Sequence, residues 1–356
     1  MRSRTRTLCS LFVLLAASTE VSAQNVLFHE DFESGLGQWT TSGLWNLQTA
    51  SEPCSQSHLP FPSGTACAWF GSDATCNFDP QPWDGFLTLA GDVPLPQNGN
   101  GIGLRLSSWS EGEDNVWDAR RAWVSANGGQ SWTTVGQTFS NSLLLGSGAP
   151  PNRWITQTFD LSAWAGQTVR LRFEFWAGDE VKNFYDGWFL DDVIVEEADG
   201  PGVPTCFGDG TYGLCPCDND GAPGRGCAAS FDQGGLLESG GLASLAADTL
   251  LLTATHVGTS SSFFSQGESQ ANSGVGAPFG DGLRCTGGNT IRLGNMIAST
   301  GVATYPNAGD LPISIKGAIA APGTRRVYQV RYRNATPFCT EATFNTTNGL
   351  LVTWVP

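Results

Sequence analysis

Hydrolytic chemistry needs ionisable side chains in set spacings, and this sequence is poor in one kind and rich in another. Its three histidines are His29, His58 and His256. A zinc peptidase grips its metal with two histidines one helical turn apart and a glutamate base, the pattern H-E-x-x-H. His29-Glu30 begins that pattern, but Asp31, Phe32 and Glu33 follow, so the second histidine is missing. No G-x-S-x-G elbow occurs. Three histidines still permit a Ser-His-Asp triad, although nothing marks one. A glycosidase needs two carboxylates roughly 5 to 10 Å apart. With 33 acidic residues such pairs are easy to draw, and no pair stands out. The expectation is a chain without catalytic machinery.

Two carboxylate pairs invite a different chemistry. In Phe28-His-Glu-Asp-Phe32, strand alternation puts Glu30 on the side of Phe28 and Phe32. A glutamate among phenylalanines is costly unless it is paired or coordinating. Asp191 and Asp192 are adjacent, so one of them must face the apolar side shared by Leu190, Val193 and Ile194. Glu30, Asp31, Asp191 and Asp192 are therefore candidate calcium ligands, because hard cations favour carboxylate oxygens. A hydrogen-bonded turn or an arginine pair would satisfy the same groups. Tryptophan is also abundant, at 13. Trp123, Trp132, Trp154 and Trp188 sit beside other apolar residues in strand-like runs and read as core. Trp83, Trp109 and Trp117 lie in polar, loop-like surroundings and are the candidate ligand platform, since exposed aromatic faces suit glycans. Local packing is the competing reading for these three.

The chain opens with MRSRTRT, an apolar run and Val21-Ser-Ala23, the plan of a secretory signal peptide over residues 1–23. The run is shorter than the roughly 20 residues needed to span a bilayer. The expected location is therefore secreted, extracellular or at the cell surface, with no membrane insertion. The chain carries a net charge of −15, and removing the leader makes it more negative by taking three arginines and one glutamate. Nucleic acid and anionic membranes, which need basic patches, are poor partners for such a chain. Export makes disulfides the default for the cysteines. Cys206, Cys215, Cys217, Cys227, Cys285 and Cys339 form an even set in the second half. Cys54, Cys67 and Cys76 in the first half leave one over, and the expected pair there is Cys54 with Cys67. Zinc at Cys215-Pro-Cys217 is disfavoured by the one-residue spacing and the lack of a nearby histidine.

These residues must be positioned by strands. Gly, Ser, Thr and Trp are common, charged residues are 14 %, and no convincing amphipathic helix appears. Thr168–Phe175 alternates apolar and polar throughout. Arg121–Ser125 runs into Asn127-Gly-Gly129 and returns through Gln130–Val135, a hairpin. The Pro/Gly-rich stretch 199–205 reads as a linker. The organisation expected is a signal peptide at 1–23, one domain at 24–198, the linker, and a disulfide-rich β domain at 206–356. The fold class is all-β: a jelly-roll sandwich followed by a smaller, disulfide-rich β-sandwich.

Four motifs support a resemblance. Glu30-Asp-Phe-Glu-Ser-Gly35 with Gln38-Trp39, the Ser125–Trp132 hairpin, Asp160–Phe173, and Asp186-Gly-Trp-Phe-Leu-Asp-Asp-Val193 together resemble the MAM-like jelly-roll modules of secreted bacterial proteins. These include the non-catalytic part of immune-inhibitor-type metallopeptidases. The resemblance implies a non-catalytic adhesion or carbohydrate-binding role, with a glycan or other cell-surface component as partner. It also implies calcium near the first and last strands, as carbohydrate-binding jelly rolls often hold one there. A structural piece of an envelope or matrix, or an unrecognised hydrolase, are the alternatives. The second half, through Cys206-Phe-Gly-Asp-Gly210, Cys215-Pro-Cys217, Gly280–Cys285 and Tyr328–Asn334, resembles an uncharacterised C-terminal module of planctomycete-type secreted proteins, which implies location and lineage but no activity.

Overall fold

The computed structural model describes residues 25–113, 116–145, 153–334 and 338–356. The signal peptide expected at 1–23, with Cys9, lies outside them. Among the described residues no helix is long and apolar enough to cross a membrane.

The first half is a sandwich of two antiparallel sheets. The first sheet orders Ile155–Asp160, Ile102–Glu111, Gly187–Glu197, Ala66–Phe70 and Trp45–Thr49, with Asn25–Glu30 also pairing to Gly187–Glu197. The second orders Trp39–Thr41, Asp84–Leu89, Thr168–Ala177, Asp118–Ser125 and Thr133–Thr138, with Val93–Pro94 added to the Thr168 strand. The chain passes repeatedly between the two sheets, with hairpins such as Trp45–Phe70 and Asp118–Thr138 kept within one sheet, which gives the jelly-roll plan. The alternation in Thr168–Ala177 sends Val169, Leu171, Phe173 and Phe175 inward to meet Phe70, Trp188 and Leu190 from the facing sheet. Each such fully buried side chain contributes about 1.5 to 3 kcal/mol. The hairpin after Ser125 is set by its side chains. Ser125 Oγ accepts the Gly129 amide at 2.8 Å, Asn127 Oδ1 accepts that of Ser131 at 2.9 Å, and Gly128 and Gly129 supply the positive φ angles.

The second half stacks two sheets of unequal size. The larger orders Gly202–Thr205, Gly349–Thr353, Arg325–Arg333, Ser261–Gln270 and Thr286–Ile297, with Phe344–Thr346 beside Arg325–Arg333. The smaller orders Leu236–Gly240, Leu251–Thr255 and Ala303–Tyr305. Phe264, Tyr328, Val330 and Tyr332 from one meet Leu237, Leu252 and Tyr305 from the other. The stretch 199–205 thus contains an edge strand of this sandwich, with Val203 and Thr205 buried.

The two halves are packed together. Every residue of the Ile155–Asp160 strand is buried. Thr156 donates its amide to Thr211 O at 2.8 Å, Gln157 Nε2 donates to Ser273 O at 2.9 Å, and Thr158 Oγ1 meets Tyr212 Oη at 2.6 Å. Thr353 Oγ1 donates to Asp160. Leu144 and Ile155 pack on Val275 at the same seam.

Four disulfides join Cys54–Cys76, Cys206–Cys285, Cys215–Cys227 and Cys217–Cys339. The expected Cys54–Cys67 pair is corrected: Cys67 is free and buried. Proximity in sequence suggested Cys67, but it belongs to the fully buried Ala66–Phe70 strand and packs beside Trp69 and Phe189. Cys76 instead sits on the loop that folds over Cys54. Burial pushes the Cys67 thiol well above the usual cysteine range. In the chain-entropy account each crosslink contributes about 3 to 5 kcal/mol, most for the long Cys217–Cys339 loop.

Candidate functional site

The inward alternation of the second sheet has an outward counterpart. Strand register places Thr88, Arg172 and Trp123 in one row, and Phe86, Glu174 and Arg121 in the next. All are half-buried rather than covered. The Arg172 guanidinium lies 3.8 Å from the Trp132 ring centroid and 4.6 Å from that of Phe86, and its Nε donates to Thr88 Oγ1 at 3.0 Å. Desolvation lowers the Arg172 pKa, opposed by the charge of Glu174. Glu174 Oε2 accepts from Arg121 Nη1 at 2.9 Å and from Trp123 Nε1 at 3.0 Å. Arg121 in turn lies 5.7 Å from the Trp176 ring. The face therefore presents Phe86, Trp123, Trp132 and Trp176 interleaved with polar groups that hold one another in place. Its opposite charges at Arg121 and Glu174 cancel.

Trp123 and Trp132, read from sequence as core, belong to this outward face. The signal was present: in Arg121-Ala-Trp-Val-Ser125, Trp123 shares its strand parity with Arg121, while Ala122 and Val124 face in. Trp188 is core as expected, and Trp154 packs at the edge of a satellite cluster with Phe61.

The three tryptophans expected in loops are separated by the structure. Trp109 is corrected from loop to core. It lies within the Ile102–Glu111 strand, is 3 % exposed, and packs on His58 and Phe189. That strand is covered on both faces, so its serines gave a false polar signal. Trp83 is half-buried, with Nε1 donating to Asp79 O at 2.8 Å. Trp117 is exposed. Their carbonyls accept the Ala177 and Gly178 amides, so both backbones bracket the end of the strand that carries Trp176.

The four acidic candidates are not gathered into one ligand set, and among the described residues no group of three or more His, Cys, Asp or Glu side chains is placed to hold a metal. Glu30 does face the core, but its two oxygens accept Phe32 N and Trp39 Nε1, each at 2.9 Å. This is the hydrogen-bonded turn. Asp31 accepts the Glu33 amide in an exposed turn, and Asp192 meets His29 Nε2 at 3.5 Å. Asp191 is the fully buried member. The chain accommodates the two adjacent aspartates with a bulge and a left-handed Asp192. Asp191 accepts the amides of Ser63 and Asp192, while burial, then Asp192, push its pKa up to about 8.

The histidines form no catalytic array. His58 Nε2 lies 3.3 Å from Asp186, and its Nδ1 meets the hydroxyl of neighbouring Ser57 at 3.2 Å. A working triad uses the ring the other way round, with its nucleophile at Nε2. The ring is 1 % exposed and sandwiched by Phe189 and Trp109. His256 pairs with Asp232 at 2.8 Å.

No family model matches the chain, so neither resemblance of its halves finds a family-level match. A pre-pro-metalloprotease, PrtV, from two strains of Vibrio cholerae serotype O1 is 32 % identical over 96 residues. That stretch is 26 % of this chain and 10 % of the relative, so the chain spans a small part of that protein. Among solved structures, the K1 cleaved adhesin domain of Lys-gingipain from Porphyromonas gingivalis W83 covers 48 % of this chain and 96 % of that one, at 16 % identity and a TM-score of 0.31. TmCBM61 in complex with β-1,4-galactotriose covers 47 % and 94 %, at 15 % and 0.30. The CBM22-1–CBM22-2 tandem of Paenibacillus barcinonensis Xyn10C covers 94 % and 99 %, at 12 % and 0.30. Scores this low carry no argument about ligand, and the fold stands on its own sheet order.

Proposed function

We propose that this is an exported, non-catalytic binding protein whose first half recognises an uncharged glycan on the outer face of the second sheet. The observation that carries the reading is the outward row of Phe86, Trp123, Trp132 and Trp176, interleaved with Arg121, Arg172 and Glu174. A sugar ring offers apolar C–H faces and a rim of hydroxyls. Ring faces left clear of the guanidinium groups, that of Trp123 first among them, take the first, and planar charged groups held in position hydrogen-bond the second. Arg121 and Glu174 neutralise each other, and the remaining charge, Arg172, is held between Trp132, Phe86 and Thr88. Export is supported by the leader-like residues 1–23 and by four disulfides, which persist in oxidising compartments.

The test is retention of the chain on insoluble cellulose, xylan, mannan and chitin, compared with the Trp123→Ala/Trp132→Ala double variant. Binding to at least one polymer, weakened about tenfold in the variant, is expected, since aromatic contacts of this kind are each worth about 1 kcal/mol or more. Binding to none of them, or equal binding by the variant, contradicts the reading.

A further inference from the structure

The larger sheet of the second half has an outer face unlike the one just described. Along Arg325–Arg333, Tyr328, Val330 and Tyr332 face the core, which leaves Arg331 and Arg333 outward. Phe263 faces out beside Phe264, which faces in. Register sets Phe263 opposite both Arg331 and Asn295, and Arg333 opposite Phe344. Arg292, from the edge strand Thr286–Ile297, and Arg284, from the Ala277–Arg284 hairpin, complete the rim. Two adjoining hollows of about 290 and 220 Å³ run along this face and share Phe263 and Arg331. No aspartate or glutamate lines either one.

That absence is notable in a chain with 33 acidic and 18 basic residues. Four arginines elsewhere are neutralised: Arg105 pairs with Glu196, Arg121 with Glu174, Arg170 with Asp92 and Arg225 with Asp232. Among the described residues no ion pair includes Arg284, Arg292, Arg331 or Arg333. Aromatic rings set the planes of Arg331 and Arg292 instead, and Arg333 Nη1 donates to Thr343 Oγ1. Arg331 lies 4.9 Å from the Phe263 centroid and 5.0 Å from that of Phe344, and Arg292 lies 4.5 Å from Phe263. A guanidinium stacked on a ring keeps its N–H edges free, and those edges match an oxyanion in bidentate fashion. The floor is rigid. Gln329 is 3 % exposed, accepts the Cys285 amide at 2.9 Å and donates to Thr347 O at 2.7 Å. The Cys206–Cys285 disulfide pins the strand end beside Arg284.

We propose that this groove binds an acidic polysaccharide, with its ring-borne carboxylate or sulfate groups held by Arg284, Arg292, Arg331 and Arg333. The elongated groove suits a chain with repeated, well-spaced charges. The phenylalanines act by orienting guanidinium planes, since Phe263 is already covered by two arginines. That disfavours single-stranded nucleic acid, which needs free aromatic faces for its bases. This site is separate from the face of the first half and does not depend on that reading.

The experiment titrates the full chain with polygalacturonate (carboxylate) and dextran sulfate (sulfate), alongside neutral xylan and oligo(dT), at low and high salt. Binding to at least one acidic polysaccharide is expected, suppressed by salt. It should weaken about tenfold or more in Arg292→Gln/Arg331→Gln, as charge-assisted hydrogen bonds are lost. Arg284→Gln/Arg333→Gln, which alters only exposed side chains, guards against a folding artefact and should weaken binding in the same direction. The proposal is overturned by no binding to either polyanion at low salt, by full retention in both double variants, or by oligo(dT) binding as tightly with the same arginine dependence. Polyanion failure with xylan binding intact overturns this site alone. Xylan failure with polyanion binding intact bears on the first-half face alone.

Discussion

The two halves present outer sheet faces built from the same parts, arginines stacked on aromatic rings, with opposite electrostatic outcomes. On the first, Glu174 sits between Arg121 and Trp123 and neutralises Arg121, while Arg172 is held between Trp132 and Phe86. On the second, Arg292 and Arg331 stack on Phe263 with no carboxylate in the groove. One acidic residue in the right register separates a face suited to hydroxyls from one suited to oxyanions. Stacking sets where a guanidinium points, and the neighbouring charge decides what it will hold.

The comparison breaks most readily at its charged end. Arg331→Glu reverses the central charge of the second groove and should lower acidic-polysaccharide affinity about a hundredfold, roughly two charge-assisted hydrogen bonds, as read by titration calorimetry. Retained affinity would show that these arginines are surface decoration. At the first face, Trp132→Ala uncovers Arg172 and should cost about tenfold in neutral-glycan binding with little change in acidic binding at the second groove. A variant that loses both together would show that the faces are not independent.

A third effect belongs to the first half alone. Asp191 has a folded pKa raised to about 8 by burial. Whatever stability its protonated form provides is complete below its ordinary value near 4 and is lost as pH rises towards 8. Asp191→Asn should therefore raise Tm at pH 8 by about 5 °C or more in the presence of chelator, with the gain vanishing near pH 4. Thermal melts at the two pH values check this, and a lower Tm for the variant at pH 8 would contradict it. Calcium is assayed in the same melts: a calcium-dependent rise in the wild type that Asp191→Asn abolishes would support the carboxylate site expected from sequence. The smallest effect sharpens the comparison. Glu174→Gln frees Arg121 and should let the first face gain weak, few-fold acidic-glycan binding. No gain would mean that Glu174 is not what distinguishes the faces.

Much of this architecture was legible in the sequence, because alternation within a strand is a local property. Thr168–Phe175 and the Ser125–Trp132 hairpin fold as their patterns dictate. Glu30 faces the core as parity requires, although its partner is the Trp39 indole nine residues on. Errors arose where a second layer decides. Trp109 sits among serines, yet the segment around Cys54 and Phe61 covers its strand from the other side. Cys67 was paired by proximity, whereas the loop to Cys76 closes over Cys54. Neither binding face could be assembled from one strand, because each depends on cross-strand register, which a linear pattern does not state. Parity did mark Trp123 with Arg121, and Arg331 with Gln329, as outward.

The most direct test of the central contrast is a salt series on one preparation of the full chain, binding a neutral glycan and an acidic one in parallel. The account predicts that acidic-glycan affinity falls steeply between 50 and 500 mM salt while neutral-glycan affinity barely changes, as screening weakens only charge-led contacts. Equal salt dependence of the two, or steeper dependence for the neutral ligand, would contradict it.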